Sequence, residues 1–175
     1  FQLPTGGGKT VIFSELTKRF ILAKGKKILI LTHRIELLSQ TSSMLTEIGV
    51  PNKVINAKVK DLDDGEDHWC YVAMVETLNN RINEEAMEFE NLGLVIVDEA
   101  HYNSFRKLFK HFNEQALLGV TATPLSSNIK LPLHDNYNEL IVGESISSLV
   151  DQNYLARAHT YNYDVNLKAL KVGIN

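Results

Sequence analysis

Short apolar runs that alternate with helical patterns restrict most strongly what this chain can fold into. Four such runs lie at residues 28–31, 69–74, 94–97 and 117–120. Strands buried on both faces have this appearance, and parallel sheets covered by helices bury both faces of their strands. Residues 1–3 have the character of the tail of a fifth strand. The alternation predicts an α/β domain with a mostly parallel central sheet and helices on both faces.

Helical spacing fills the intervals between these runs. We predict helices at residues 12–23, 37–48, 75–90 and 104–112. In the first of them the apolar stripe comprises Ile12, Leu16, Phe20 and Ala23, with Gly25 as the expected stop. Two stretches lack such spacing and are rich in polar residues, so we expect an exposed loop or hairpin at 57–68 and a long surface loop at 124–138.

Composition excludes several classes of protein. The chain has 175 residues, of which 44% are hydrophobic and 22% are charged, as in one ordinary globular domain. No apolar run approaches the roughly 18 residues of a membrane-spanning helix, so we expect no membrane partner. The single cysteine, Cys70, cannot form an intrachain disulfide and predicts a reducing, cytoplasmic location. No signal peptide is visible, and because the first residue is Phe1 we expect a piece of a longer protein.

The net charge of −3 conceals a segregation of charge along the chain. Residues 1–34 hold seven basic residues and one acidic residue, whereas residues 35–99 hold four basic and fourteen acidic residues. A negative total therefore does not exclude a nucleic-acid partner, because one basic face can act alone. Solvated helix faces would explain the same segregation equally well.

A glycine-rich segment near the start of the chain carries the strongest local signal. It consists of Pro4, Thr5, Gly6, Gly7, Gly8, Lys9 and Thr10, between a strand remnant and an amphipathic helix. Successive glycines allow backbone N–H groups to surround a phosphate chain, and a helix N-terminus adds positive potential. In such a loop Lys9 reaches the β- and γ-phosphates and Thr10 binds Mg²⁺. The strict motif has a further glycine where this chain has Leu3, so a glycine-rich turn with an incidental lysine stays as the alternative.

Two adjacent carboxylates, Asp98 and Glu99, follow the apolar run 94–97, and His101 comes two residues after Glu99. Charges at the end of a buried strand are costly unless they bind something. Ligands of open α/β sheets lie at the carboxyl ends of strands, where the glycine-rich loop is also expected. Asp98 is therefore a candidate Mg²⁺ ligand and Glu99 a candidate general base for an attacking water. The alternative is that both residues only cap the next helix.

Residues 98–101 read Asp-Glu-Ala-His, a DEAH box. Together with residues 3–10 they resemble the superfamily-2 helicases and translocases, especially the branch of type III restriction subunits and excision-repair helicases. Three further segments resemble motifs Ia, Ib and III of that family in the correct order, at 31–40, 73–78 and 119–124. The resemblance implies the first RecA-like P-loop NTPase domain of an ATP-dependent helicase, with ATP and Mg²⁺ as cofactors.

The resemblance also implies roles for individual residues. It identifies four catalytic residues, which are Lys9, Asp98, Glu99 and His101. It places four residues along a bound nucleic-acid strand, which are His33, Arg34, Thr77 and Leu78. It gives two threonines, Thr121 and Thr123, a role in coupling the nucleotide site to a second domain. Without the family, the first pair of nucleic-acid residues could be an exposed helix start, and the two threonines could simply end a strand.

The resemblance divides the chain into two parts. We expect residues 1–143 to form the RecA-like ATP-binding domain, and residues 144–175 to lead toward a second RecA-like domain in cis, which this chain lacks. Asn153 stands where the family usually has glycine, and Arg157 where it often has proline, so an ordinary surface helix and strand is an equal alternative for the tail. Because the family's arginine fingers lie in the second domain, we expect the fragment to bind nucleotide weakly and hydrolyse it poorly.

Two functions of different classes remain open at this point. The first is a helicase or translocase that hydrolyses ATP with Mg²⁺ and moves along nucleic acid, with DNA favoured over RNA. The second is a nucleic-acid-sensing or scaffold module that ATP switches and that never unwinds. A P-loop kinase or GTPase fits less well, because it explains neither the DEAH box nor Thr121 and Thr123.

Overall fold

Five parallel strands form one sheet in the computed structural model, which describes residues 1–58, 68–84 and 87–161. The strands are β1 (Lys27–Thr32), β2 (Asn52–Ile55), β3 (Cys70–Met74), β4 (Leu92–Asp98) and β5 (Ala116–Val120). Their order across the sheet is β2-β3-β1-β4-β5, and every neighbouring pair is parallel. The predicted α/β class with a parallel central sheet is confirmed.

Helices connect and follow the strands. They are α1 (Lys9–Lys24), α2 (Ile35–Glu47), α3 (Val75–Asn83), α4 (Arg106–Phe109) and α5 (Ile146–Asp151), with short 3₁₀ turns at Asn103–Phe105 and Leu133–Asp135. The helices predicted at 12–23 and 37–48 are confirmed as α1 and α2. The prediction of a helix over 75–90 was too long, because α3 ends at Asn83 and residues 87–91 are not helical. The prediction for 104–112 was partly wrong, since this stretch is a 3₁₀ turn followed by the single turn of α4.

The two central strands, β1 and β4, form the middle of the core. Residues 28–31 of β1 and 95–97 of β4 have no exposed surface. Their side chains alternate between two apolar clusters, one containing Leu29, Val95 and Phe105 and the other containing Ile28, Ile96 and Phe13. Burial of each such side chain stabilises the fold by about 1.5–3 kcal/mol. The sheet is therefore covered on both faces, as the unbroken apolar runs require.

The buried face of α1 differs from the predicted stripe. Ile12 and Leu16 are 45% and 39% exposed, whereas Phe13, Ser14 and Thr17 are buried against the sheet. The Thr17 hydroxyl donates to the Phe13 carbonyl at 2.8 Å, so its polar group is satisfied inside the helix. Two of the three buried residues of α1 carry hydroxyl groups, which apolar spacing alone does not reveal.

The start of the chain continues the sheet beyond β5. Leu3 N–H donates to the Thr121 carbonyl at 3.1 Å, and Thr121 N–H donates to the Phe1 carbonyl at the same distance. Gln2 forms parallel bridges with Thr121 on one side and Val142 on the other. The expected strand tail at residues 1–3 is confirmed, and it delivers the glycine-rich loop to the end of β5.

Three further expectations concern less regular parts of the chain. Residues 124–138 form an irregular surface segment with one 3₁₀ turn, as predicted. Strand β2 was not predicted; among the residues that the structure describes, it is an edge strand that pairs with β3 alone. Most of the predicted loop at 57–68 lies outside the described residues, which omit 59–67. Within the described ranges, none of the helices is both long and apolar enough to cross a membrane.

Candidate nucleotide and nucleic-acid site

The glycine-rich loop joins the strand tail to α1. Gly6 and Gly8 adopt φ angles of 80° and 84°, which residues with a Cβ atom rarely adopt. Gly7 N–H donates to the Pro4 carbonyl at 3.0 Å and closes the turn, and Thr5 is exposed at its apex. No side chain caps the helix that follows, so its first N–H groups face the loop without a side-chain acceptor. Positive-φ glycines that lead into an uncapped helix N-terminus are typical of phosphate-binding loops.

Lys9 opens α1 and folds its side chain back over the loop. Its Nζ atom lies 3.3 Å from the Leu3 carbonyl oxygen and 3.4 Å from the Pro4 carbonyl oxygen. Both hydrogen bonds are long for an ammonium donor, so little is lost when the side chain exchanges them for a charged acceptor. Thr10 follows in the first helical turn and is half-buried.

The acidic pair reaches the same edge of the sheet. Asp98 ends β4 and pairs in register with Val120 of β5, one residue before Thr121, which bonds to Leu3. The Lys9 ammonium lowers the pKa of the Asp98 carboxyl, so the two charged groups are close enough to interact. The sequence motifs thus converge on one crevice at the carboxyl ends of the strands.

Asp98 is a buried carboxyl, only 4% exposed. Burial, followed by the neighbouring Glu99 carboxylate, raises the pKa of Asp98 to about 6. Two weaker effects lower the pKa: the Glu99 N–H, which donates to Oδ1 at 3.0 Å, and the Lys9 ammonium. An approaching cation would relieve this penalty. The Asp98 carboxylate and the Thr10 hydroxyl supply hard oxygen donors of the kind that Mg²⁺ prefers, so the chemistry of these residues fits a magnesium ion.

Glu99 occupies a strained backbone position. Its φ is 56°, in the left-handed region, which costs on the order of 1–3 kcal/mol for a residue with a side chain. Two backbone bonds hold the turn, from Ala100 N–H to the Val120 carbonyl at 3.0 Å and from Tyr102 N–H to the Glu99 carbonyl at 3.1 Å. The turn breaks the alternation of the strand and leaves the Glu99 side chain partly exposed beside Asp98.

His101 joins the acidic turn to the end of β5. Its Nδ1 atom lies 2.8 Å from the Thr121 hydroxyl oxygen and 3.4 Å from Glu99 Oε2. The Thr121 hydroxyl donates to the Thr123 carbonyl at 3.2 Å and accepts from Thr123 N–H at 3.1 Å. Because that hydroxyl has a single proton, we infer that His101 donates from Nδ1 to Thr121. The structure therefore brings together the DEAH histidine and both threonines named from the sequence.

His33 and Arg34 follow the end of β1. Arg34 is exposed, and its Nε donates to His33 Nε2 at 3.2 Å. Burial lowers the pKa of His33, and the Arg34 charge lowers it further, so the imidazole is neutral at pH 7. Arg34 thus presents the positive charge at this edge.

Thr77 and Leu78 lie in the first turn of α3 but differ in exposure. Thr77 is half-buried, whereas the Leu78 side chain has no exposed surface and belongs to the core. The expectation that Leu78 contacts a nucleic-acid strand needs correction, because a side chain packed inside the core cannot reach one. Its position instead anchors α3 against the sheet.

The tail after residue 143 packs against the glycine-rich loop, which was not predicted. A Cβ atom placed on Gly6 would lie 2.9 Å from Leu155 Cδ2, and one on Gly7 would lie 3.2 Å from Leu149 Cδ1. Asn153 has a φ of 62°, so the turn expected there is present. Leu149 and Leu155 were the signal in the sequence that could have revealed this contact.

A cavity of about 1210 Å³ lies between β5 and the irregular segment 124–141. Its lining includes Phe109, Leu117 and Tyr137 but no residue of the glycine-rich loop. The Tyr137 hydroxyl is buried, and burial raises its pKa. The glycine-rich loop therefore lies outside this cavity.

The parallel sheet, the glycine-rich loop and the acidic turn define a P-loop NTPase domain of the RecA-like type. Superfamily-2 helicases have such a domain as the first of their two RecA-like domains. Residues 1–126 match the family model described as the type III restriction enzyme, res subunit. The chain belongs to this family, and the resemblance stated from its motifs is confirmed.

One curated relative is the Saccharomyces cerevisiae protein that bears the name "Putative ATP-dependent helicase IRC3". The two sequences are 33% identical over 173 residues, which cover 90% of this chain and 24% of IRC3. The chain therefore spans about a quarter of the length of that relative.

Solved structures show the same fold. The type ISP restriction-modification enzyme LlaGI, in complex with a DNA substrate mimic, superposes with a TM-score of 0.66 at 17% identity, covering 88% of this chain and 18% of LlaGI. Saccharomyces cerevisiae Dbp5, bound to RNA and ADP BeF3, superposes with a TM-score of 0.59 at 19% identity, covering 70% of this chain and 35% of Dbp5. At these identities the likeness concerns the fold alone.

Proposed function

We propose that this domain binds ATP with Mg²⁺ and that the whole protein hydrolyses ATP to move along nucleic acid. The observation that carries the proposal is the convergence of the glycine-rich loop and the Asp98–Glu99 turn on one edge of the sheet. Membership of a helicase-related restriction family supports it.

The residues of the crevice divide the work of phosphoryl transfer to water. Loop N–H groups and Lys9 hold the β- and γ-phosphates, while Thr10 and Asp98 hold Mg²⁺, which when bound neutralises phosphate charge. Glu99 orients the attacking water and accepts its proton. His101 Nδ1 lies near both the Glu99 carboxylate and the Thr121 hydroxyl, and Thr121 in turn bonds to Thr123, which suits a role in coupling.

The nucleic-acid surface that we propose lies at the ends of β1 and β3. Arg34 supplies an exposed guanidinium, and His33 and Thr77 lie at the same ends of these strands. Such groups contact phosphates and position a strand without reading its sequence. We favour DNA over RNA because the family model belongs to a restriction enzyme and LlaGI was solved with a DNA mimic, although Dbp5 was solved with RNA.

The same proposal includes a second RecA-like domain in cis. The boundary that we propose separates residues 1–143 from 144–175, and the tail would lead to that second domain. Arginine fingers of such a domain are worth about 10³–10⁵ in rate, so the 175-residue chain alone should turn over ATP far more slowly than the whole protein. A cytoplasmic location, suggested by the single cysteine, completes the proposal.

Nucleotide binding and strand displacement by the whole protein test this function. Lys9→Ala should lower MgATP affinity, because it removes the only side-chain cation on the loop, whereas Lys24→Ala at the other end of α1 should not. Displacement of a labelled strand in an ATP-dependent manner would support a helicase. ATP binding that changes nucleic-acid affinity without displacement or translocation would instead indicate an ATP-switched sensing or scaffold module.

A further inference from the structure

Tyr102 lies between two histidines that belong to different motifs. Its ring centroid is 4.2 Å from that of His33, with planes tilted by 43°, and 4.2 Å from that of His101, with planes tilted by 37°. His33 follows the strand end assigned to nucleic acid, and His101 closes the DEAH box. A continuous stack of three rings therefore connects the end of β1 with the acidic turn that follows β4.

The His33 end of the stack contains an unsatisfied polar group. Arg34 donates to Nε2, so the proton of the neutral ring is on Nδ1. Nδ1 is buried and finds no hydrogen-bond acceptor among the described residues. A buried donor without a partner is costly, so a small rotation of His33 that satisfied it would be favourable. A nucleic-acid strand bound at Arg34 would favour that rotation of the His33 ring.

The other end of the stack is tied to the strained turn. Tyr102 N–H donates to the Glu99 carbonyl, and Glu99 is the residue held at positive φ. The neighbouring His101 ring contacts both the Glu99 carboxylate and Thr121. A displacement of the Tyr102 ring therefore acts on the position of the general base through one backbone bond and one ring contact.

We propose that Tyr102 is a positioning residue that transmits the occupation of the His33–Arg34 edge by nucleic acid to Glu99 and His101. This inference rests on the proposed function, because it explains how a bound strand would accelerate ATP hydrolysis. The ring carries the effect, and the tyrosine hydroxyl does not. Packed rings have discrete arrangements, and a shift of one ring requires a shift of its neighbours.

The test compares ATP turnover by the whole protein with and without saturating single-stranded DNA, in Tyr102→Leu and Tyr102→Phe. Tyr102→Leu should lower the ratio of stimulated to unstimulated turnover about five-fold or more, with the Kd for DNA changed less than about two-fold. Tyr102→Phe should keep the wild-type ratio. Tyr154→Leu, which removes a tyrosine that is 73% exposed and outside the stack, is the matched control and should also keep it.

The possible outcomes separate the inference from the function on which it rests. A wild-type ratio in Tyr102→Leu, or an equal loss in Tyr102→Phe, would overturn the role of the ring stack and leave the motor intact. A wild-type protein that neither single-stranded DNA nor single-stranded RNA stimulates would overturn both. Should Tyr102→Leu melt at a lower temperature than wild type, Tyr102→Met, with an adaptable side chain and no ring, serves as the second variant and must show the same loss.

Discussion

His101 donates from Nδ1 to the Thr121 hydroxyl across 2.8 Å, and this bond ties the end of the acidic turn to the end of β5. Thr121 also holds the strand tail that leads into the glycine-rich loop, through backbone bonds with Phe1 and Leu3. One buried threonine thus connects the phosphate loop, the DEAH box and the segment that follows β5. Loss of the Thr121 side chain should therefore affect all three segments.

Thr121→Val is expected to sever this connection while keeping the shape of the side chain. His101 Nδ1 and Thr123 N–H would lose their acceptor, at a cost of about 1–3 kcal/mol in the free energy of unfolding. DNA-stimulated ATP turnover should fall with it. Thr121→Ser, which keeps the hydroxyl, should restore most of both. Equal turnover in the valine and serine variants would show that the hydroxyl bonds are not used.

Asp98→Asn is expected to stabilise the metal-free protein in a pH-dependent way. Because the pKa of Asp98 is raised from 3.8 to about 6 in the folded state, wild type loses stability as the pH rises through that interval, and the variant does not. Thermal melting in EDTA should show the variant more stable by up to about 3 kcal/mol at pH 8 and nearly equal at pH 4. The exposed Asp151→Asn should show no such pH-dependent gain.

Gly6→Ala and Gly8→Ala should differ in their coupling to the tail. Both force alanine into the left-handed region, at about 1–2 kcal/mol each. Only the alanine at Gly6 also meets Leu155, whereas nothing lies within 4 Å of a Cβ at Gly8. In urea unfolding, Leu155→Ala should therefore relieve part of the cost of Gly6→Ala and add independently to Gly8→Ala. Additivity in both pairs would contradict the contact between tail and loop.

Arg34→Ala should weaken DNA binding by the whole protein and reduce its salt dependence. A single phosphate contact contributes about 0.7–0.9 to the slope of log Kd against log salt. Arg19→Ala removes an exposed arginine on α1 that pairs with Glu15 and should leave the slope unchanged. An unchanged slope in Arg34→Ala would exclude Arg34 from the contact surface.

Local motifs made the nucleotide site readable from the sequence. The phosphate loop and the acidic turn depend on residues adjacent in the chain, so Lys9, Asp98 and Glu99 could be assigned roles before their positions were known. The parallel sheet followed from unbroken apolar runs for the same reason. Contacts between segments that are distant in the chain could not be predicted. Strand β2 is short and half-buried, and its residues lack the apolar run that marked the other strands.

The other differences between the sequence-based predictions and the structure also arise from contacts between residues that are distant in the chain. Leu78 looked available in a motif that follows nucleic acid, yet packing of α3 against the sheet buries it completely. Tyr102 was not singled out because its significance depends on two rings brought together by different loops. Leu149 and Leu155 reach the glycine-rich loop because residues 141–143 pair with Gln2 and bring the tail alongside the start of the chain.

Glu99→Gln in the whole protein tests the central claim most directly, since it keeps the size of the side chain while removing the general base. The account predicts that MgATP still binds and that steady-state ATP turnover, with single-stranded DNA present, falls about 10²–10⁴-fold. Turnover equal to wild type in Glu99→Gln would contradict the assignment of the acidic turn as the hydrolytic centre.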